Sequence, residues 1–322
     1  MLEALKNLSS ANVLVIGDVM LDRYWSGDVD RISPEAPVPI VSVASEYERL
    51  GGAANVASNL AGFGARATLM GITGDDEAGE RVRSLLQKQD IRSNLVVEDG
   101  ENTTSKLRVI SRNQQLLRAD FERQPSSGSV DRLNQLFADA VRDYDAVVFS
   151  DYGKGSLARI GECIQVCRQS GIPALIDPKH SDYTRYRGAS VITPNLSEFR
   201  SASRSDAHSL EELSTTALEL LASHDLSALL ITLSERGMVL VQSDGDFLHS
   251  PARAREVFDV SGAGDTVIAV MAAAMAVQLD MKTALLLSNA AASVVVSKLG
   301  TATASVEEIQ QALERQKLED SQ

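Results

Sequence analysis

Asp259-Val260-Ser261-Gly262-Ala263-Gly264-Asp265-Thr266 runs straight into Val267-Ile268-Ala269-Val270-Met271-Ala272-Ala273-Ala274-Met275-Ala276-Val277. The second string is apolar all round, with no Gly or Pro, and predicts a buried helix over 267–277. The small residues before it place a turn at the helix N-terminus, where backbone N–H groups lack partners and the dipole is positive. Such a spot suits an anion such as phosphate. Glycine lets the main chain approach that anion closely, and Asp265 sets a carboxylate at the mouth of the same pocket. Two readings fit. Asp265 is either a base that deprotonates a hydroxyl while backbone donors hold a transferring phosphate, or a helix cap after a Gly turn, worth about 1 kcal/mol. A base near the ordinary Asp value of ~3.9 is weak, which suits late proton transfer.

Outward from this stretch, short apolar strands alternate with helices. Strands are predicted at 13–16, 67–71, from 94, 146–150, 173–177, 191–193, 228–232 and 237–242. Helices are predicted at 55–62, 77–89, 130–142, 157–170 and 210–223, with two Ala-rich helices at the end and a frayed tail over 313–322. This rhythm means an α/β fold, a mainly parallel sheet covered by helices on both faces in a three-layer sandwich. Two segments break it. Residues 23–46 hold three closely spaced prolines, and residues 103–122 alternate apolar and polar side chains. Both read as exposed antiparallel strands: a small β lid inserted into one α/β domain spanning 1–322, or two surface hairpins with no joint role.

With 322 residues, 44% apolar and 23% charged, the chain is long enough for a sizeable core. Its formal net charge of -13 argues against wrapping nucleic acid, while local Lys and Arg can still hold an anionic small substrate. Cys163 and Cys167, the two cysteines, lie four apart as apolar helix positions rather than metal ligands or a disulfide, which fits a reducing compartment. No basic segment followed by an apolar stretch opens the chain, and the longest apolar tract is too short to cross a bilayer. A soluble cytoplasmic protein without membrane contact is expected.

Gly62-Phe63-Gly64-Ala65-Arg66-Ala67 fits the letters of a dinucleotide fingerprint, yet it follows a helix and precedes a strand, the reverse of what that motif needs. The glycines more simply end a helix. No Walker sequence occurs. Gly51-Gly52-Ala53-Ala54-Asn55 suits a polyol touching the main chain or a plain helix start. Asp18 and Asp22 follow the first strand, where ligands bind in open α/β sheets and where turn caps also sit. In Asn195-Leu196-Ser197-Glu198 the outer residues are one helical turn apart. Glu198 can hold a Mg²⁺-bound water, or the pair is a capping box. Thr232, Ser234 and Gly237 offer hydroxyls and a turn to a nucleotide. Lys106, Arg108, Arg118 and Lys179 are candidate phosphate binders or ordinary surface charges.

With Gly51-Gly52-Ala53-Ala54-Asn55-Val56-Ala57, Asn195-Leu196-Ser197-Glu198 and Gly262-Ala263-Gly264-Asp265 in this order, the chain resembles the ribokinase (PfkB) family of sugar kinases over essentially its whole length. More narrowly, the strings at 17–25, 31–39, 106–109, 111–115 and 150–152 resemble its heptose 7-phosphate kinase branch. The resemblance implies a ribokinase-like fold. It also implies ATP-dependent phosphorylation of D-glycero-β-D-manno-heptose 7-phosphate at the anomeric hydroxyl, feeding ADP-heptose synthesis for the lipopolysaccharide inner core. By the same resemblance Asp265 is the catalytic base, and Gly262, Ala263 and Gly264 form the anion hole. Asn195, Leu196, Ser197 and Glu198 serve the phosphate and Mg²⁺ region, with Thr232, Ser234, Gly237 and Asn289 along the nucleotide. Asp18, Asp22, Gly52 and Asn55 meet the sugar, and Lys106 and Arg108 meet its 7-phosphate. Asp259, with the loop near Gly300, resembles a monovalent-cation site, implying K⁺. A homodimer through the lid is expected. The branch is often fused to an adenylyltransferase domain carrying a His-x-x-His motif, and His180, His208, His224 and His249 do not form one. The chain is therefore expected to be a kinase alone or the kinase module ahead of such a domain. A kinase for another sugar phosphate and a non-catalytic nucleotide or sugar sensor are the competing readings.

Overall fold

In the computed structural model, residues 1–112, 114–253, 257–298 and 300–319 are described. The strands are β1 (Asn12–Gly17), β2 (Val19–Ile32), β3 (Pro39–Gly52), β4 (Arg66–Gly74), β5 (Arg92–Glu98), β6 (Ser105–Ser111) and β7 (Gln114–Phe121). They continue with β8 (Ala146–Ser150), β9 (Ala174–Asp177), β10 (Val191–Ile192), β11 (Ala228–Thr232), β12 (Met238–Gln242) and β13 (Phe247–Ser250). The helices are α1 (Leu2–Asn7), α2 (Ala53–Gly62), α3 (Glu77–Lys88), α4 (Ser127–Ala140) and α5 (Ile160–Ser170). After them come α6 (Leu196–Ser203), α7 (Leu210–His224), α8 (Ala263–Ala276), α9 (Met281–Val295) and α10 (Val306–Glu319).

Nine strands form one sheet in the order β13-β12-β11-β10-β9-β8-β1-β4-β5, parallel from β5 to β11 and closed by an antiparallel β11-β12-β13 meander. Because side chains alternate along a strand, Val13 and Val15 of β1 enter one core with α2, α8 and α9, while Leu14 and Ile16 enter the other with α4, α5 and α7. Parallel strands need both faces covered, so two helix layers enclose the sheet. The result is a ribokinase-like three-layer α/β fold.

A second sheet has the order β3-β2-β6-β7. Its strands reach Val19 and Gly52, beyond the 23–46 segment, and β2 pairs with β6 in parallel. This corrects the expectation of wholly antiparallel strands. β6 arrives through a long excursion across the main domain, so no hairpin forces it antiparallel to β2.

Three local expectations also change. Helix α8 starts at Ala263, so Gly264 lies in its first turn and Gly262 caps it, rather than both forming a turn well ahead of it. Helix α5 starts at Ile160 rather than 157, because the preceding residues belong to a loop with its own bonding. The tail helix α10 continues to Glu319, where fraying was expected from 313; residues 320–322 lie outside the described residues. Among the described residues no helix is long and apolar enough to cross a membrane.

Candidate active site

The C-terminal ends of β1, β8 and β9, the first turn of α8, the start of α2 and one face of the second sheet converge around Asp265. Asp265 is 4% exposed. One carboxylate oxygen accepts from Asn55 Nδ2 at 2.6 Å and the other from the Tyr152 hydroxyl at 2.9 Å. Burial lifts its pKa to about 6, against the lowering effect of those two donors. Asp22 lifts it further and Lys106 lowers it. The carboxylate is therefore more basic than the ordinary Asp expected from sequence.

Gly262 caps α8 with φ of 80°, and a Cβ there would stand 2.9 Å from Asn55 Nδ2. Both facts require glycine. The expected anion hole needs one revision: the Ala263 N–H donates to the Val260 carbonyl at 3.2 Å. In the helix geometry the N–H groups of Gly264 and Asp265 have no intrahelical acceptor, and Gly264 is exposed at the mouth.

The β2–β6 register sets Asp22 beside Lys106 and Tyr24 beside Arg108. Arg108 donates to Asp22 at 2.7 Å and lies 5.2 Å from the Tyr24 ring centre, and Tyr24 stacks on Tyr47 at 4.6 Å. Lys106 stands 5.7 Å from the centre of the Tyr152 ring, its pKa lowered by burial. Asp22, Lys106, Arg108, Gly52 at the β3–α2 junction and Asn55 thus surround one space with Asp265. Arg118 pairs instead with Asp120 at 2.8 Å, and Lys179 is exposed.

Asp18 departs from its expected contact with sugar. It is 1% exposed, and its carboxylate accepts the N–H groups of Tyr152 at 2.9 Å, Lys154 at 2.9 Å and Ser156 at 3.1 Å. Its oxygens are engaged in folding that loop. Asn289 departs similarly: its amide donates to Ser250 Oγ at 2.6 Å and the Pro251 carbonyl at 2.7 Å, so it braces the loop beside Gly237.

Asn195 and Glu198 form the capping box of α6, with bonds of 3.0 and 2.9 Å, and Leu196 and Ser197 open that helix. Asn195 bridges to Thr232, and Ser234 begins the turn that Gly237 closes. Between this region and Asp265 stands Asp177 at the end of β9. Burial, then Asp265, Glu198 and Asp151, hold its pKa well above the ordinary carboxylate value. Asp259 accepts the N–H groups of Ser261 and Gly300, both at 2.9 Å, so the two segments of the expected cation site do meet. Tyr152 and Asp177 received no role from sequence. Both sit at C-terminal strand ends, where α/β sheets place ligands, and that position was the only available signal.

A sheet with helices on both faces, a buried carboxylate on the first turn of a core helix and a second sheet set over it place the molecule in the ribokinase-like class. The family model described as pfkB family carbohydrate kinase matches residues 10–309, and the chain belongs to that family. The bifunctional protein HldE of Histophilus somni is 50% identical over 304 residues, covering 94% of this chain and 64% of the relative. HldE of Proteus mirabilis is 48% identical over 309 residues, covering 96% and 65%. The chain thus spans just under two thirds of the length of these curated relatives. Among solved structures, phosphofructokinase-2 from Escherichia coli in complex with potassium superposes with a TM-score of 0.80 at 18% identity, covering 95% of this chain and 99% of that one. Arabidopsis thaliana ribokinase complexed with ribose and ATP gives 0.76 at 17%, covering 95% and 99%. At such identities these two speak for the fold.

Proposed function

We propose that the chain phosphorylates D-glycero-β-D-manno-heptose 7-phosphate at the anomeric hydroxyl, using ATP, within ADP-heptose synthesis for the lipopolysaccharide core. The observation that carries the reading is Asp265. It is a buried carboxylate with a pKa lifted to about 6, on a helix N-terminus, facing a second sheet that bears Lys106 and Arg108. The heptose assignment rests on the N-terminal strings and on HldE relatives at about half identity.

Asp265 receives the proton of the acceptor hydroxyl as that oxygen attacks the γ-phosphorus, and ADP leaves. The lifted pKa makes the carboxylate a more effective base while leaving it ionised at neutral pH. Backbone donors of the α8 first turn face the charge that develops on the transferred phosphoryl group. Asn55 and Asp22 orient the sugar hydroxyls, and Lys106 and Arg108 receive the 7-phosphate, with Arg108 exchanging its bond to Asp22 for the phosphate.

Among the described residues no group of three or more acidic, His or Cys side chains is placed to hold a metal by itself, so Mg²⁺ would arrive with the ATP phosphates, and Glu198 at the start of α6 is the carboxylate proposed to serve it. When bound, Mg²⁺ would screen phosphate charge. Glu198 would hold it through water, Thr232, Ser234 and Gly237 would line the nucleotide, and Asp259 with the Gly300 loop would hold K⁺. Exposed Ile32, Val43, Leu117 and Phe121 on the second sheet, with Val38 in the β2–β3 connection, support a lid-to-lid homodimer, and a cytoplasmic setting suits the free, buried cysteines. Only the kinase activity is proposed for this chain.

The test is ADP release with heptose 7-phosphate, fructose 6-phosphate and ribose as acceptors, beside Asp265→Asn. Turnover only with heptose 7-phosphate, reduced by several orders of magnitude in the variant, is expected. Turnover only with another acceptor would transfer the reading to a different sugar, and an unimpaired variant would refute Asp265 as the base.

A further inference from the structure

The loop between β8 and α5 carries none of the roles assigned above, yet it reaches the reacting centre. Asp18 closes it by accepting three of its backbone N–H groups, including that of Tyr152. Tyr152 then extends its ring beneath the Lys106 ammonium and donates its hydroxyl to Asp265. An aspartate near a helix N-terminus is otherwise free to turn about its two side-chain torsions. Here a donor from α2 and a donor from this loop hold one carboxylate oxygen each. That leaves each oxygen one lone pair, in the plane of the carboxylate.

We propose that Tyr152 is a positioning residue for phosphoryl transfer: on a turn clamped by Asp18, its hydroxyl fixes the Asp265 carboxylate in the orientation that receives the proton of the acceptor hydroxyl. The inference rests on the reading of Asp265 as the base. The phenol stays a donor at working pH, since burial and the carboxylates of Asp265 and Asp177 hold its pKa well above the ordinary value. The groups that act on Asp265 come from five places: Asn55 on α2, Tyr152 after β8, Asp22 on β2, Lys106 on β6 and Asp177 at the end of β9. Among them Asn55 and Tyr152 both orient the carboxylate and favour its ionised form, and Tyr152 is the one that comes from the loop clamped by Asp18.

Tyr152→Phe keeps the ring and the Lys106 contact and removes only the hydroxyl. Losing a donor to the carboxylate takes away a lowering influence, so Asp265 titrates higher and the acid limb of kcat/KM moves to higher pH. Turnover is expected to fall about tenfold or more, the worth of a hydrogen bond to a charged group, with KM for ATP unchanged. A ¹³C titration of the Asp265 carboxyl in wild type and variant reads the same shift without turnover. A tyrosine with only a structural role would lower the melting temperature and leave both titrations in place. An unmoved carboxyl titration overturns the proposal. Asp265→Asn measured alongside separates the two failures, because near-normal turnover there refutes the base assignment regardless of what Tyr152→Phe does.

Discussion

Asp18 offers the sharpest contrast between a sugar ligand and a structural clamp. Asp18→Ala would leave the N–H groups of Tyr152, Lys154 and Ser156 without their acceptor. At ~1–1.5 kcal/mol for each lost bond, the variant should be destabilised by about 3–5 kcal/mol. Asp18→Asn is milder. With its carbonyl oxygen in the place of Oδ2 it retains the bonds to Tyr152 and Lys154 and turns an NH₂ group toward the Ser156 N–H, losing one bond. Burial outweighs the three donors and holds the Asp18 pKa above its ordinary value, so a neutral amide recovers part of that loss. The net cost is about 1–2 kcal/mol. For a chain of this size ~2 °C accompanies each kcal/mol, so the melting temperature should fall about 6–10 °C for Ala and about 2–4 °C for Asn. The pH dependence has a definite sign. A carboxyl whose folded pKa is raised stays protonated longer in the folded state, so its contribution is present below the unfolded value and is lost as pH rises through the folded value. Both variants should lose that part of the slope. The assays are thermal melts across pH and hydrogen exchange at the 152, 154 and 156 amides, with kinetics on the same preparations. An Ala variant melting within 2 °C of wild type, with a KM for the sugar raised tenfold, would refute the clamp and return Asp18 to the substrate.

Further expectations follow from individual contacts. Gly237→Ala would place a Cβ 2.1 Å from the Ser250 carbonyl oxygen at a φ of 87°, so a loss of about 3 kcal/mol or more is expected in urea unfolding, together with weaker MgATP binding by calorimetry. Glu98 is held down to about 2 by bonds from Ser126 and Arg123 that outweigh its desolvation. Its contribution is therefore complete above the ordinary glutamate value and lost as pH falls toward 2, and acid unfolding of Arg123→Met should lose the Arg123 share of that component while the Ser126 share stays. Burial pushes the Cys163 and Cys167 thiols up to about 12, so labelling by a thiol reagent at pH 8 should proceed only on unfolding, and fast labelling of the native protein would contradict their packing.

The α/β class was legible because strand and helix periods are local. Val13 to Ile16, Ala146 to Ser150 and the apolar run after Asp265 each announce an element through neighbours a few residues away. The element boundaries that moved, at α5 and α8, lie where bonds from distant residues or a first-turn glycine decide the ends. The second sheet was legible as exposed strands, while the parallel β2–β6 pairing was not, since its register joins segments about 84 residues apart with no turn between them to set direction.

By itself the sequence determined that an acid stands at the glycine-rich start of a buried helix in a layered α/β domain, because both features are written within a dozen residues. Tertiary structure decided what that acid is. Asn55 lies 210 residues from Asp265, Tyr152 lies 113 away, and Asp18 holds its loop from 134 to 138 residues away. Local spacing carries no information about such meetings. Burial, which lifts the carboxyl to about 6, and the donors that orient it exist only once the chain has closed around Asp265.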